Sequence, residues 1–400
     1  MSMNSTPSAN RIHIGFFGRR NAGKSSVVNA VTGQELSVVS DVMGTTTDPV
    51  SKAMELLPMG PVLIIDTPGY DDEGSLGELR VKKTKEILHK TDVAVLVVDG
   101  TVGLTSVDEE LIKIFKQKGI SYITVYNKCD LISVSDMIKL SREENAILVS
   151  ATDKKNIDQL KEKIALMADK GPEKYLVRDL VDKGDVVILV TPMDEAAPKG
   201  RLILPQQQTI RDLLDADAVT VVVKENQVND TLKLLGKKPR MVITDSQVFK
   251  KVAEELPADI PLTSFSILMA RYKGFLDSAV KSAVAIDNLS HGDKILISEG
   301  CTHHRQCGDI GTVKLPTWLE EYTGKKLFFE FTSGGTFPEE LSEYKVVIHC
   351  GGCTLNEREL KYRMKTAMEQ GVPFTNYGIV IAQTQGILMR SLEVFEGNYA

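Results

Sequence analysis

Two sets of residues in this sequence could do chemistry, and they lie far apart. The first set fits the spacing G-x-x-x-x-G-K-[ST] and consists of Gly18, Gly23, Lys24 and Ser25. The second set contains four of the five cysteines, which fall between Cys301 and Cys353. The first pattern is typical of phosphate binding. The second, in a reducing compartment, indicates metal or redox chemistry rather than a disulfide framework.

The phosphate-binding pattern lies between an apolar strand and a helix in "IHIGFFGRRNAGKSS". Its glycines let backbone N–H groups close around phosphate oxygens, and the helix N-terminus adds positive potential. We expect Lys24 to reach the β- and γ-phosphates and Ser25 to bind Mg²⁺. Two neighbours, Ala22 and Ser26, complete the predicted phosphate-binding segment.

A second motif follows another buried strand in "VLIIDTPGYDD". Asp66 is predicted to hold Mg²⁺ through a water molecule, and the Gly69 N–H to meet the γ-phosphate. Position 70 is tyrosine, where Ras has its water-orienting glutamine. We therefore expect slow intrinsic hydrolysis.

The choice of base is predicted from "YITVYNKCD" and "ILVSATDKK". The first ends a strand with Asn127, Lys128 and Asp130, and the Asp130 carboxylate can accept hydrogen bonds from guanine N1–H and N2–H₂. Adenine offers no such donor pair and would leave the carboxylate unpaired. At Ser150 and Ala151 a backbone N–H could bind guanine O6. The nucleotide is predicted to be GTP.

This series of motifs resembles the Era and tRNA-modification GTPases. In "VMGTTTDPV", the resemblance implies that Thr46 binds Mg²⁺ in the GTP state. It also implies a catalytic set of Lys24, Thr46 and Gly69. Asn21 matches the asparagine that binds K⁺ in potassium-activated members of this group, and a K⁺ ion could stand in for an arginine finger. An amide that stabilises the loop is the alternative reading of Asn21.

The elements around these residues indicate an α/β chain of three domains. Its 400 residues are 42% hydrophobic and 26% charged, which is ordinary for globular protein. We expect a P-loop GTPase domain at 1–170, a small α/β dimerisation domain at 171–264, and an α/β parallel-sheet cluster-binding domain at 265–400. The middle domain shows alternating strands and helices but no chemistry. Its small sheet leaves an edge that a second copy could cover, so we expect a homodimer.

The overall composition excludes some functions. The net charge of −6 argues against a broad nucleic-acid footprint. No apolar run is long enough for a signal peptide or a membrane span. We expect a cytoplasmic protein that binds neither nucleic acid nor membrane.

The cysteines are predicted to lie at one edge of a sheet. "DKILISEGC" runs a strand into Cys301, and "YKVVIHCGGC" runs another into Cys350 and Cys353. If the two strands are neighbours, the three thiolates meet beyond their carboxyl ends. A thioredoxin-like pair would leave Cys301 and His303 idle. Structural zinc in a Cys₃His site and an Fe–S cluster on three cysteines both fit, and spacing does not separate them.

A GTPase domain followed by C-x-H and then H-C-x-x-C resembles the HydF family of [FeFe]-hydrogenase maturation GTPases. The resemblance covers the whole chain. It implies a [4Fe–4S] cluster on Cys301, Cys350 and Cys353. The resemblance also implies an exchangeable fourth cluster site, with His303 and, less directly, His349 as candidate ligands. Two further donors lie nearby, His304 and Cys307.

The same resemblance implies a scaffold and carrier role. The chain would receive a diiron precursor with CO, CN⁻ and dithiolate ligands from two radical-SAM hydrogenase maturases, and deliver it to apo-[FeFe]-hydrogenase. The alternative function is a ribosome- or tRNA-directed GTPase with a structural zinc domain. The acidic charge balance and the lack of an aromatic and basic RNA surface argue against that alternative.

Overall fold

The computed structural model describes residues 6–34, 50–69, 75–168, 173–192, 202–301 and 309–395, with the backbone alone for 75–82. The predicted sites at Thr46, His303, His304 and Cys307 lie outside these residues. The chain divides into two compact units, Met1–Pro172 and Glu173–Ala400.

The strands of the described residues are short and mostly buried. They are β1 Ile12–Phe17, β2 Val50–Leu56, β3 Gly60–Asp66, β4 Val93–Asp99, β5 Ser121–Asn127, β6 Ala146–Leu148, β7 Val186–Val190, β8 Val219–Val223, β9 Met241–Thr244, β10 Leu262–Ser264, β11 Lys294–Glu299, β12 Phe328–Ser333, β13 Val346–His349 and β14 Phe374–Asn376.

Helices alternate with these strands along most of the chain. They are α1 Lys24–Thr32, α2 Ser75–Lys90, α3 Ser106–Gln117, α4 Val134–Leu140, α5 Ile157–Met167, α6 Leu204–Asp215, α7 Val228–Leu235, α8 Phe249–Glu255, α9 Phe265–Tyr272, α10 Leu276–Ala283, α11 Leu315–Thr323, α12 Glu357–Glu369, α13 Tyr377–Thr384 and α14 Leu388–Leu392. Among the described residues, no helix is both long and apolar enough to cross a membrane.

The first unit is built on a sheet whose described strands follow the order β2-β3-β1-β4-β5-β6. All neighbouring pairs are parallel except β2 with β3. Both faces of its centre are covered. Along β4, Val95 and Val97 face one hydrophobic cluster while Leu96 and Val98 face the other. This explains the continuous apolar run of β4, because successive side chains of a strand point to opposite faces.

The second unit contains two parallel sheets in its described part. Their strand orders are β10-β9-β7-β8 and β12-β11-β13-β14. A single hydrophobic cluster includes residues from both sheets, among them Val187 of β7 and Val347 of β13. The opposite face of the second sheet packs on its own cluster, which contains Ile297 and Ile348. The two sheets therefore share a core.

The segment from Val346 to Met364 has the strand and helix that its sequence predicts. Strand β13 is fully buried, and α12 begins at Glu357 after a loop of residues 350–356. The Asn356 side chain accepts a hydrogen bond from the Glu359 N–H at 3.0 Å and so caps the helix. Within the loop, Gly352 has φ +64°, a conformation that favours glycine.

The predicted fold class is confirmed, since the chain is α/β with a nucleotide-binding type of sheet followed by two parallel sheets. The two predicted boundaries between the three domains remain a prediction, because the second unit holds both later sheets in one compact body.

Candidate functional site

The phosphate-binding loop joins β1 to α1, and two of its glycines are required by close contacts. A Cβ at Gly18 would lie 2.3 Å from the Val97 carbonyl oxygen, and one at Gly23 would lie 2.2 Å from Asn127 Nδ2. Both glycines have positive φ, +145° and +83°. The loop therefore packs directly on neighbouring strand ends, and α1 begins at Lys24 with its N-terminus at the predicted phosphate position.

The residues predicted to bind Mg²⁺ and phosphate lie together at the start of α1 and the end of β3. Lys24 Nζ is 3.2 Å from Asp66 Oδ1, and Ser25 Oγ donates to Asp66 Oδ2 at 3.2 Å. A hydroxyl beside a carboxylate suits Mg²⁺, which prefers oxygen ligands. Gly69 follows three residues beyond Asp66. The third predicted oxygen donor, Thr46, lies outside the described residues.

Asn127 holds together the loops that are predicted to surround the nucleotide. Its side chain is buried at 3% exposure. Asn127 Nδ2 donates to the Ala22 carbonyl at 3.2 Å, and Oδ1 accepts from the Ala151 N–H at 3.1 Å. One amide thus connects the phosphate-binding loop to both base-recognition loops. Asp130 is exposed on the turn after β5.

Lys128 lies between two loops and has a partner that sequence reasoning missed. Its Nζ donates to the Asn21 carbonyl at 3.1 Å and to Asp99 Oδ2 at 2.5 Å. Burial would raise the pKa of Asp99, but hydrogen bonds from Lys128 and Thr101 hold it below its ordinary value. Asp99 ends β4, the neighbour of β5. The position of Asp99 at the end of a buried strand is the sequence feature that could have marked it as a site residue.

The backbone conformation at position 21 can explain why this residue is an asparagine. Its φ is +61°, in the left-handed region where asparagine is enriched. This favours the loop-stabilising reading of Asn21 without excluding a K⁺ contact from the side chain. Both readings therefore remain open.

The second candidate site lies at one edge of the last sheet, as the sequence predicts. Strands β11 and β13 are parallel neighbours, with Ser298 opposite His349. Cys301 comes two residues after β11, and Cys350 comes directly after β13. The sequence analysis assumed that these two strands are neighbours, and this is confirmed. The three cysteines therefore follow the carboxyl ends of adjacent strands.

The thiols at this edge are partly buried and influence one another. The Cys350 Sγ accepts hydrogen bonds from the Gly300 N–H at 3.1 Å and the Gly352 N–H at 3.4 Å. Burial, and then the charges of Cys353 and Cys301, raise the pKa of Cys350 to about 12. Burial and Cys301 likewise raise the pKa of Cys353 to about 11. Three neighbouring thiolates would need a compensating positive charge, such as iron or zinc, and this fits a metal group.

The described residues do not by themselves form a closed ligand shell. In the part of the chain that the structure describes, no group of three or more His, Cys, Asp or Glu side chains is arranged to hold a metal ion. The segment 302–308, with His303, His304 and Cys307, lies outside it. The structure thus brings the predicted cysteines to one edge of the sheet, but it does not bring their side chains into a metal-binding arrangement among the residues it describes.

His349 uses both ring nitrogens within the protein. Nδ1 lies 2.8 Å from the Cys350 carbonyl, and Nε2 lies 3.2 Å from Arg363 Nη1. Burial and the nearby Arg363 charge lower the pKa of His349 to about 3, so the ring is neutral. With a carbonyl at one nitrogen and a guanidinium at the other, Nδ1–H donates and Nε2 accepts. This geometry favours an orienting role for His349.

Arg363 is a second residue that sequence reasoning missed. It is 1% exposed and lies on α12. Its Nη2 donates to the Gly334 carbonyl at 2.6 Å and to Glu359 Oε1 at 2.7 Å. It therefore connects His349 to α12 and to the end of β12. The sequence of α12 is mostly polar, so it gives no sign that Arg363 is buried and not exposed to solvent.

Comparison with known families distinguishes the two units. A model described as 50S ribosome-binding GTPase matches residues 13–128. The hydrogen maturase F dimerization domain matches residues 176–274, and its tetramerization domain matches residues 277–394. The first unit is a P-loop GTPase domain, joined to a second unit of two parallel sheets. The two maturase models together cover more than half of the chain, which belongs to the hydrogen maturase F family.

Individual relatives match mainly the GTPase domain. GTPase Der of Wolinella succinogenes is 36% identical over 165 residues, which are 38% of this chain and 35% of that protein. GTPase Era of Thermoanaerobacter sp. is 24% identical over 62% of this chain and 84% of its own length. A crystal structure of Aquifex aeolicus Era bound to GDP and AlF₄⁻ covers 56% of this chain and 98% of its own, with 20% identity and a TM-score of 0.36. The chain spans little more than a third of the Der proteins.

Replacing Asp130 with asparagine should exchange the base preference. In Asp130→Asn the amide presents a donor toward the guanine N2 amine, so GTP should bind more weakly and xanthosine triphosphate more tightly. From the cost of an unpaired polar group, about 1–3 kcal/mol, we expect roughly a tenfold loss of GTP affinity or more. Fluorescent-nucleotide titration measures both affinities. Lys24→Ala is the control, which should weaken both nucleotides alike. Unchanged GTP affinity in Asp130→Asn would refute the assignment.

Proposed function

We propose that this chain is a GTP-hydrolysing scaffold and carrier for hydrogenase maturation. It binds a [4Fe–4S] cluster and a diiron precursor and delivers the diiron unit to apo-[FeFe]-hydrogenase. The observation that carries the proposal is the pairing of β11 with β13, which puts Cys301 and the Cys350–Cys353 loop at one edge of the sheet. The supporting context is membership of the hydrogen maturase F family.

The cluster is assigned to Cys301, Cys350 and Cys353. A [4Fe–4S] cluster on three thiolates leaves one iron free to take a displaceable ligand, which suits a carrier that must also release its cargo. The protein contributes two N–H groups, from Gly300 and Gly352, that point at the Cys350 sulfur. Such hydrogen bonds stabilise a thiolate bound to iron.

The fourth ligand is assigned to His303 in preference to His349. The hydrogen bonds of His349 to Cys350 and Arg363 use both of its ring nitrogens. Ligation by His349 would break one of them and leave a buried polar group unsatisfied. We assign His349 to orienting the Cys350 backbone.

Each residue of the GTPase site is assigned a role in binding Mg²⁺, K⁺ or the nucleotide. Ser25 and Thr46 bind Mg²⁺ and Asp66 holds it through a water molecule. Lys24 and the Gly69 N–H contact the γ-phosphate, and Asn21 holds K⁺. The remaining contacts to the nucleotide come from Gly18, Ala22, Gly23, Ser26, Asn127, Lys128, Asp130, Ser150 and Ala151.

The partners follow from the family. The diiron unit, with its CO, CN⁻ and dithiolate ligands, comes from two radical-SAM maturases, and the recipient is the apo-hydrogenase, all in the cytoplasm. The alternative is a GTPase directed at ribosomes or tRNA with a zinc domain. The tRNA modification GTPase MnmE of Bacillus thuringiensis, 28% identical over 60% of this chain and 49% of its own length, motivates that alternative. The maturase models over the second unit favour the carrier.

The homodimer is assigned to the free edge of the first sheet of the second unit. Strand β8 ends the described strand order, and Val219 and Val222 are 49% and 43% exposed. The Val219 N–H donates to the Asp185 carbonyl on the β7 side, and the Val223 carbonyl accepts from Thr191. By alternation, the N–H groups of Thr220 and Val222 point away from β7. They are positioned to pair with a second copy.

Proline at this edge should therefore separate the copies. Val222→Pro removes an outward N–H while leaving the β7 bonds in place, so the native mass should fall by about half. Val222→Thr keeps the N–H and the β-branched shape and serves as the control. Light scattering after gel filtration measures the mass. An oligomer of wild-type mass in Val222→Pro would remove β8 from the interface.

The GTPase rate should depend on the monovalent cation. We expect slow hydrolysis in Na⁺ and faster hydrolysis in K⁺, because a bound K⁺ offsets charge on the phosphates. Asn21→Gly is the sharp test, since glycine accepts a φ of +61° but lacks the amide. Its phosphate release should no longer respond to K⁺. Equal wild-type rates in the two salts would leave Asn21 with its loop role alone.

Each of the three cluster cysteines should be needed for iron. In Cys301→Ala, Cys350→Ala and Cys353→Ala, anaerobic reconstitution should yield less than half of the wild-type iron and sulfide, because a cube held at two corners is unstable. GTP hydrolysis should survive, since the nucleotide site lies in the other unit. His303→Ala should keep iron and sulfide but change the EPR signal.

Cys129→Ala is the matched control for these variants. Cys129 is buried in the GTPase unit, so its loss should leave the iron content unchanged. Wild-type iron content in Cys301→Ala would overturn the assignment of the sheet edge.

A further inference from the structure

Lys273 is a lysine buried within the second unit. It follows α9, is 2% exposed and ranks among the largest fully buried side chains of the described residues. Its Nζ donates to the Leu355 carbonyl at 2.7 Å and lies 5.6 Å from the centre of the Tyr272 ring. Burying an ammonium group is costly, so a side chain held this way requires an explanation.

The ammonium is fixed to the loop that carries the cysteines. Leu355 is two residues beyond Cys353 in the loop of residues 350–356. Lys273 thus brings a positive charge from another element of the fold to the sulfur-bearing loop.

We propose that Lys273 is a positioning residue that raises the reduction potential of the cluster bound at Cys301, Cys350 and Cys353. The inference rests on the proposed function, since it presupposes that cluster. A [4Fe–4S] cluster with three thiolates is already anionic, and one-electron reduction adds a further negative charge. A fixed cation in a low-dielectric interior stabilises the reduced state more than the oxidised one.

The electron comes from an external one-electron donor, dithionite in the test below, and enters the cluster. No bond is made or broken at Lys273, which remains an ammonium throughout. Its role is distinct from that of the Gly300 and Gly352 N–H groups, which point at Cys350 rather than Cys353. Both the N–H groups and the ammonium favour the added negative charge.

Two substitutions separate charge from shape. Lys273→Gln removes the charge and keeps a donor group, while Lys273→Arg keeps the charge. Each full-length protein is reconstituted anaerobically, its iron and sulfide are measured, and the midpoint potential is determined by dithionite titration followed by EPR. We expect a more negative potential in Lys273→Gln and a potential close to wild type in Lys273→Arg.

Lys361→Gln is the matched control. Lys361 lies on α12 and pairs with Glu357 near the same loop, but its side chain is 48% exposed. Solvent screens such a charge, so its removal should leave the potential unchanged.

Every outcome decides the inference. A full cluster with wild-type potential in Lys273→Gln overturns it and leaves Lys273 a structural donor to Leu355. If Lys273→Gln binds no cluster, Lys273→Arg decides: a cluster at wild-type potential supports the role of charge, and loss in both variants overturns it. If the wild type itself assembles no cluster, the proposed function fails, and the role of Lys273 falls with it.

Discussion

The parallel pairing of β11 with β13 is the constraint on which the second unit depends. Two segments some fifty residues apart in sequence meet only because these strands adjoin, with Ser298 opposite His349. The pairing brings Cys301 level with the Cys350–Cys353 loop, where the three cysteines are partly buried. Neighbouring, partly buried sulfurs resist deprotonation, so thiolates at this edge need a compensating positive charge. The backbone N–H groups at Cys350, the His349–Arg363 contact and the Lys273 ammonium all act around this edge.

In the GTPase unit, too, the functional residues lie at the carboxyl ends of neighbouring strands, but they serve a different chemistry. Its functional loops follow β1, β3 and β5, whose carboxyl ends meet at one edge of a largely parallel sheet. There Asn127 connects three loops through one buried amide. The Lys128–Asp99 pair adds a charged contact between neighbouring strand ends. In both units the strand order brings residues that are distant in sequence to the same edge of a sheet. Short glycine-containing loops allow the backbone segments at that edge to approach one another closely.

Much of this was predictable because the chemistry demands particular residue types at particular spacings. Phosphate binding needs glycines before Lys24, and guanine recognition needs a carboxylate such as Asp130 after a strand. The position of Asp99 at the end of a buried strand was an available signal, whereas the contributions of Lys273 and Arg363 were not predictable. Each is an ordinary polar residue in its local sequence, and its role arises from which elements adjoin in space. The sequence analysis predicted His349 as a candidate cluster ligand, while the hydrogen bonds at both of its nitrogens favour an orienting role.

Metal analysis of the wild-type protein tests the central claim, that the edge formed by β11 and β13 holds an Fe–S cluster. The protein is purified and reconstituted without oxygen, and iron, acid-labile sulfide and zinc are measured per chain. The account predicts a brown protein with iron and sulfide in equal amounts, about four of each, and little zinc. A colourless protein that binds one zinc ion and no sulfide after reconstitution would contradict it and would favour a GTPase with a structural zinc domain.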